Sequence, residues 1–244
     1  MKIVGVSGRK QSGKNTTANI LHGIVMKERG LIKDFNIGPT GELLVLTTNA
    51  EGQEGWGEFD VARKDSDFLQ YAEYNMWPYV KLYSFADTLK WICTELFGIP
   101  HECAWGTNEQ KNQKQDHLHW ELMPGHVTSK SGYGRMTARE FMQWFGTDIM
   151  RAIYQPIWVE NTLKRIHSEQ SELAIIADVR FENEVAAIEA AGGKVVRLTR
   201  EIDSDDSHSS EASLDDREFQ HYIDNKNLTI DSFVEAVKIF YKSI

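Results

Sequence analysis

The feature that most restricts the fold is a glycine-bearing turn near the start of the chain. Residues 8–14 read GRKQSGK and match the pattern GxxxxGK. A short apolar run, Lys2–Ser7, precedes the turn, and apolar residues recur at helical spacing over residues 15–28. Glycines in such a turn let backbone N–H groups curl around phosphate oxygens, and the following helix N-terminus adds partial positive charge. The order of strand, turn and helix therefore predicts a phosphate-binding loop.

Within this loop we expect Lys14 to reach the β- and γ-phosphates of ATP. The remaining predicted cofactor-binding residues are Gly8, Lys10, Ser12, Gly13, Asn15 and Thr16. Asn15 stands where the pattern usually has Ser or Thr, so the nearest hydroxyl is that of Thr16. Thr16 is expected to contact a phosphate or to contribute to a magnesium site. The alternative for the whole motif is a glycine-rich turn that carries a lysine by chance.

A second signal lies at residues 175–180, which read IIADVR. A carboxylate at the tip of a buried strand can hold magnesium through water, and an arginine two residues later can reach the transferring phosphate. Asp178 is thus a candidate catalytic and metal-binding residue, and Arg180 a candidate catalytic and substrate-binding residue. An apolar run that ends in Asp is common in proteins. The prediction for Asp178 is therefore supported mainly by its combination with the predicted phosphate-binding loop.

The pattern of elements indicates the fold class. Residues 80–85 and 87–97 are predicted as strand and helix, and residues 173–177, 182–191 and 194–198 as strand, helix and strand. This alternation predicts a three-layer α/β fold of the P-loop type, with a mainly parallel sheet, helices on both faces and ligands at the carboxyl ends of the strands. A chain of 244 residues fits a single domain of this kind with insertions.

Two segments depart from the alternation. Residues 34–77 contain a β-branched run followed by a glycine-rich stretch, which predicts a β-hairpin insertion. Residues 104–133 are polar with no sustained period, which predicts a mobile lid or an acceptor-binding excursion. Trp120 within it is a candidate for stacking on a base, whereas Trp144 and Trp158 have the spacing of core residues.

Residues 137–145 are predicted as a helix, because Thr137 and Glu140 form a capping-box pattern. Residues 145–148, which read FGTD, predict a break between helices. Arg139 and Arg151 flank that break, which could direct both into one cleft.

Charge and composition exclude several classes of function. A net charge of −9 disfavours nonspecific binding to a nucleic acid polymer or to an anionic membrane surface. No apolar run approaches the roughly 20 residues of a membrane span, and the two cysteines are expected to be reduced, so we expect a cytoplasmic protein. Four histidines lack the spacing of a zinc site with any cysteine or carboxylate, and they are His101, His117, His119 and His126.

With these motifs in hand, the chain resembles the phage-type deoxynucleoside monophosphate kinases, within the P-loop nucleoside monophosphate kinase group. The segments that carry the resemblance are SGRKQSGKNTTA at residues 7–18, SFADTLK at 84–90, TNEQKN at 107–112, MTAREFMQWFGTDIMR at 136–151, ADVRFENE at 177–184, GGKVVRLTR at 192–200, SHSSEASLD at 207–215 and IDN at 223–225. Residues 34–77 have no counterpart in it.

The resemblance implies magnesium-dependent transfer of the γ-phosphoryl group of ATP to a deoxynucleoside monophosphate. It implies phosphate-gripping roles for Arg139, Arg151 and Arg180, with Arg151 and Arg180 also catalytic, and it makes His208 and Glu211 candidate ligand contacts. The partners are then small molecules, in the cytoplasm of the host if a phage encodes the chain, and a homodimer is left open.

Other functions remain open at this stage. The same loop and arginines would serve a kinase for another small phosphorylated metabolite. A guanine-specific switch normally carries NKxD, and residues 225–228, which read NKNL, lack the Asp. A nucleic-acid motor would show a basic track, which the net charge argues against. A catalytically silent binding module conflicts with the retention of Lys14 and Asp178.

Overall fold

The computed structural model describes residues 1–48, 51–63, 65–124, 133–200 and 213–244. Within these residues the chain forms two compact units. The first contains Met1–Ser84 and Leu163–Ile244, and the second contains Phe85–Thr162. Among the described residues, no helix combines the length and the apolar character needed to span a membrane.

The first unit is built on a parallel sheet. Its strands are β1 (Lys2–Ser7), β5 (Val80–Tyr83), β8 (Leu173–Val179), β9 (Lys194–Leu198) and β10 (His221–Ile223). The strand order is β10-β9-β1-β8-β5, and every neighbouring pair is parallel. Ser7, the last residue of β1, pairs with Val179 on one side and Arg197 on the other. The carboxyl ends of β8 and β9 therefore flank the end of β1.

Helices cover both faces of this sheet. They are α1 (Lys14–Glu28), α8 (Glu182–Ala190) and α9 (Ile230–Lys242). Val4 and Val6 of β1 belong to a core that also contains buried residues of α1 and α9. A Cβ added to Gly5 would instead lie 2.9 Å from Cδ1 of Ile188 in α8. Because alternate residues of a strand point to opposite faces, α8 covers the face opposite α1 and α9, which confirms the predicted three-layer α/β fold.

The segment between α1 and β5 carries a separate antiparallel sheet. Its strands are β2 (Asp34–Ile37), β3 (Leu43–Thr48) and β4 (Glu54–Glu58), in the order β2-β3-β4. The helix α2 (Ser66–Tyr71) and a π-helical turn (Ala72–Met76) follow. Leu43 and Val45 are buried in the same core as α1, because the alternation of β3 turns them to one face. The predicted hairpin is thus extended by a third strand.

The second unit has its own core. Its elements are α3 (Asp87–Glu95), α4 (His101–Trp105), α5 (Asn108–Lys111), β6 (Lys114–His119), a 3₁₀ turn (Trp120–Leu122), β7 (Arg135–Thr137), α6 (Ala138–Gln143), a π-helical segment (Trp144–Arg151) and the start of α7 (Ile157–Glu169). Strands β6 and β7 pair antiparallel. Cys93, Cys103, Met136 and Phe141 are among the buried residues of this core, and both cysteines are free thiols.

One expectation for the second unit is wrong, and another stays a prediction. The described part of residues 104–133 contains α5 and β6, whose shortness hides any sequence period. That this segment is a lid or an acceptor-binding excursion stays a prediction. The break expected at residues 145–148 is absent, because the π-helical segment continues the helix through Arg151. Gly146 is buried there, and a Cβ at this position would lie 2.6 Å from Cδ2 of Leu89, so the glycine permits close packing rather than ending a helix. The capping box of Thr137 and Glu140 is confirmed.

The packing of α8 on β1 can be tested at Gly5. We expect Gly5→Val to lower the free energy of unfolding by about 1–3 kcal/mol, because the added methyl groups overpack the contact with Ile188. The matched control is Gly55→Val in β4, where an added Cβ meets nothing within 4 Å. The measurement is the midpoint of urea unfolding, followed by far-UV circular dichroism. Equal midpoints for the two variants would show that α8 does not pack closely against Gly5.

Candidate functional site

The predicted phosphate-binding loop lies between β1 and α1. Gly13 has φ of +99°, a left-handed conformation that favours glycine, and it directly precedes the first residue of α1. A Cβ added to Gly8 would overlap the Ser12 hydroxyl. Both glycines are therefore required by the curl of the loop, which brings its backbone close to itself at the N-terminus of a 15-residue helix.

Two polar side chains lie inside this curl. Lys14 Nζ donates hydrogen bonds to the carbonyl oxygens of Gly8 and Arg9, each at 2.7 Å. Ser12 is fully buried, and its Oγ has no hydrogen-bond partner among the described residues. A buried hydroxyl in the same loop as an ammonium and a helix N-terminus is suited to an anion that accepts hydrogen bonds. The loop thus has the chemistry that a phosphate requires.

A side chain from the far end of the chain holds the loop from the β9–β10 side. Asn225 follows β10 and is buried; its Nδ2 donates to the carbonyl oxygen of Ser12 at 2.7 Å, and its Oδ1 accepts from the backbone N–H of Arg200 at 2.9 Å. Asn225 was not predicted as a site residue. The sequence feature that pointed to Asn225 was the IDN motif at residues 223–225. The contact itself could not be predicted from local spacing, because Asn225 and Ser12 are 213 residues apart.

The β8 side of the loop carries the predicted carboxylate. Asp178 lies within β8, one residue before its end, and its Oδ2 accepts a hydrogen bond of 2.5 Å from Ser84 Oγ. The backbone N–H of Arg180 donates to Glu184 Oε2 at 2.7 Å, and Ser213 Oγ donates to the Arg180 carbonyl. Ser84 was missed as a site residue, although it begins the SFADTLK motif.

Ion pairs connect the loop to residues after β9. Asp215 accepts from Arg9 at 2.7 Å through Oδ2 and from Arg197 at 2.5 Å through Oδ1. Arg197 also donates to Ser7 Oγ at 3.0 Å. Asp215 belongs to the SHSSEASLD motif, whereas His208 and Glu211 of that motif lie outside the described residues.

In the second unit, Arg139 lies in a group of cations. Its Nη2 donates to Asn108 Oδ1 at 2.7 Å and its Nε to Asn112 Oδ1 at 3.0 Å, so two neutral amides orient the guanidinium without neutralising it. Burial, and after it the neighbouring charges of Lys90 and Arg139, lowers the pKa of Lys111. A bound anion would relieve the repulsion among these cations, so this group is a second candidate anion site. Lys90 and Lys111 were not predicted.

The other predicted residues of the second unit lie at separate positions. Arg151 ends the π-helical segment, and its side chain is half-buried. Trp120 is half-buried and packs against the core of this unit. Trp158 is buried and its Nε1 donates to the carbonyl of Gly146 at 3.0 Å, as expected of a core residue. Trp144 packs against the same core as Trp120.

The predicted residues therefore divide between the two units. The loop residues and the strand-end pair Asp178 and Arg180 belong to the first unit, around the carboxyl end of β1. Arg139, Arg151 and Trp120 belong to the second unit.

Comparison with known proteins supplies independent information. The sequence profile of the deoxynucleotide monophosphate kinase family matches residues 83–237. A protein of Acanthamoeba polyphaga mimivirus, provisionally named a deoxynucleotide monophosphate kinase, is 32% identical over an alignment of 168 residues that covers 63% of this chain and 79% of the viral protein. The matched profile begins after the phosphate-binding loop, so the loop and the profile are separate observations.

The profile covers more than half of the chain and includes Asp178, Arg139 and Asn225, while the loop before it has the geometry of a phosphate site. On these grounds the chain belongs to the deoxynucleotide monophosphate kinase family.

Proposed function

We propose that the protein transfers the γ-phosphoryl group of ATP to the phosphate of a deoxynucleoside monophosphate, which yields ADP and a deoxynucleoside diphosphate. The observation that carries this proposal is the loop between β1 and α1, with Lys14 and the buried Ser12 hydroxyl inside its curl. Family membership supports the acceptor class.

The loop residues bind the phosphates of the donor in this proposal. Backbone N–H groups at the start of α1 and the Ser12 hydroxyl donate to phosphate oxygens, and the Lys14 ammonium exchanges its bonds to the Gly8 and Arg9 carbonyls for bonds to the β- and γ-phosphates. Lys14 then opposes the charge that spreads over the transferred group. Gly8, Lys10, Gly13 and Asn15 complete this part of the site.

Asp178 is the residue that we assign to magnesium. Its carboxylate is a hard oxygen ligand at a strand end beside β1, and the hydrogen bond from Ser84 fixes its orientation. Bound magnesium would neutralise charge between the β- and γ-phosphates. Thr16, the other predicted metal residue, lines a cavity with Arg200 and Asn225 on the β9–β10 side, so we assign its hydroxyl to the nucleotide instead.

The cations of the second unit bind the acceptor phosphate in this proposal. Arg139, oriented by Asn108 and Asn112, presents a planar fork that suits bidentate contact with a phosphate, and Lys90 and Lys111 add charge. We also assign Arg151 and Arg180 to the phosphates and Trp120 to the base. A phosphate monoester has a second pKa of about 6, so the attacking oxygen is already deprotonated at neutral pH and no side-chain general base is needed.

The activity is tested by coupled ADP release across ribo- and deoxyribonucleoside monophosphates. We expect turnover with at least one deoxynucleoside monophosphate, and we expect Lys14→Ala to lower it by at least about 100-fold, the scale on which a transition-state donor acts. Lys27→Ala, in the same helix and exposed in an ion pair with Asp34, is the matched control and should retain activity. Turnover only with other phosphorylated metabolites would favour the second candidate, a kinase for such a metabolite.

The magnesium assignment is tested with Asp178→Asn. We expect the magnesium concentration for half-maximal activity to rise by about tenfold or more, corresponding to roughly 1.4 kcal/mol of lost metal affinity. Ser84→Ala should give a smaller shift in the same direction, because it loosens the carboxylate without removing it. An unchanged magnesium titration in Asp178→Asn would remove Asp178 from the metal site.

The acceptor assignment is tested with Arg139→Lys. Lysine keeps the charge but loses the fork, so we expect the acceptor KM to rise by about five- to tenfold, which is roughly 1–1.4 kcal/mol. The ATP KM should stay unchanged. Arg135→Lys, at an exposed ion pair with Asp116, is the control. If both variants have the same acceptor KM, Arg139 does not hold the acceptor.

A further inference from the structure

The inserted antiparallel sheet touches the start of α1. The turn that joins β2 to β3, residues 38–42, places Gly41 against Thr16 of the phosphate-binding loop region, and a Cβ added to Gly41 would overlap the Thr16 hydroxyl. Asn19, one helical turn further along α1, donates from Nδ2 to the Gly41 carbonyl at 2.9 Å. The turn is therefore joined to the helix that carries the loop.

Hydrogen bonds within the turn make it compact. The Gly38 N–H donates to the Glu42 carbonyl at 2.9 Å, and the Gly41 N–H donates to the Gly38 carbonyl at 3.0 Å. Thr40 donates to the Glu42 carboxylate from its backbone N–H, at 2.9 Å, and from its hydroxyl. A turn with this many internal bonds is ordered before any ligand arrives, which reduces the entropy lost on binding.

The turn also forms one wall of a cavity. This cavity has a volume of about 90 Å³, and its lining includes Gly13 and Thr16 at the loop, Thr40 and Gly41 in the turn, and Arg200 and Asn225 after β9 and β10. It is continuous with the phosphate-binding loop because two loop residues line it. The inserted sheet and the parallel sheet of the first unit thus share this cavity.

The position of the cavity matches the nucleoside end of a donor nucleotide bound at the loop. The strand order places β8, with Asp178, on one side of β1, and β9 and β10 on the other. A donor whose γ-phosphate and metal lie on the Asp178 side directs its α-phosphate and nucleoside toward the β9–β10 side. The cavity lies on that second side.

We propose that the turn at residues 38–42 is part of the donor site, where Thr40 and Gly41 form a wall against the sugar and base of the nucleotide. This inference rests on the proposed function, in which the loop binds ATP. The inserted sheet then determines donor specificity, together with Arg200, which also lines the cavity and whose planar guanidinium can stack on a base.

The test compares two glycines of the same inserted sheet. Gly41 has φ of +94° and Gly52 has φ of +81°, but a Cβ at Gly52 meets nothing within 4 Å. Both substitutions place alanine at a positive φ, and only Gly41→Ala pushes the turn away from Thr16. We expect Gly41→Ala to raise the ATP KM by about fivefold or more relative to Gly52→Ala, without a change in the acceptor KM.

A second measurement separates the nucleoside from the phosphates. Inorganic tripolyphosphate, used as a competitive inhibitor against ATP, contacts the loop but has no sugar or base. Its inhibition constant should be the same in wild type, Gly41→Ala and Thr40→Trp, whereas both variants should bind ATP more weakly. Thr40 is exposed, so a tryptophan at this position can fill the cavity without disturbing the core. If Gly41→Ala does not fold, Thr40→Trp alone tests whether the turn contacts the nucleoside.

Three results would overturn the inference. Equal ATP KM values in both glycine variants and in Thr40→Trp would exclude contact between the turn and the nucleoside. Parallel weakening of tripolyphosphate and ATP would show that the turn only supports the loop. Absence of ATP-dependent transfer in the wild type would reject the proposed function itself, and the inference with it, which is distinguishable from the first two results.

Discussion

The bonds that close the predicted phosphate-binding loop are the constraint on which the shape of the candidate site depends. Lys14 holds two carbonyls of the loop from inside, and Asn225 holds the Ser12 carbonyl from outside. With these carbonyls bound, the backbone N–H groups at the start of α1 are left to face the interior of the curl. Because Asn225 also bonds the backbone of Arg200, the shape of the loop depends on the ends of β9 and β10.

Within this acidic chain, Arg139 is held by neutral groups. The net charge is −9, yet Arg139 is bonded to two asparagine amides. Neutral acceptors fix a cation in position and leave its charge to act on a ligand, whereas a carboxylate would cancel it. Arg9 and Arg197 show the contrast, since Asp215 pairs with both.

Local patterns predicted the parts of the site that are close in sequence. The strand, glycine turn and helix around Lys14, and the strand that carries Asp178, follow from periodicity and spacing within a few residues. Ser84 and Asn225 escaped prediction because their partners, Asp178 and Ser12, lie 94 and 213 residues away. The prediction of a helix break near Gly146 was wrong for a related reason. A glycine can end a helix or can allow a close neighbour to pack against it, and only the tertiary structure distinguishes these two roles. The roles of the site residues stay predictions.

The division of the chain into two units has a consequence for how such an enzyme can change. The second unit is one uninterrupted stretch, Phe85–Thr162, and it holds Lys90, Lys111 and Arg139 together. The first unit holds the loop, Asp178 and the inserted sheet. If the proposed roles are assigned in this way, the part of acceptor recognition that Lys90, Lys111 and Arg139 provide is encoded in one continuous segment that recombination can exchange as a block. Donor recognition would be encoded separately, in the two segments that flank it, Met1–Ser84 and Leu163–Ile244.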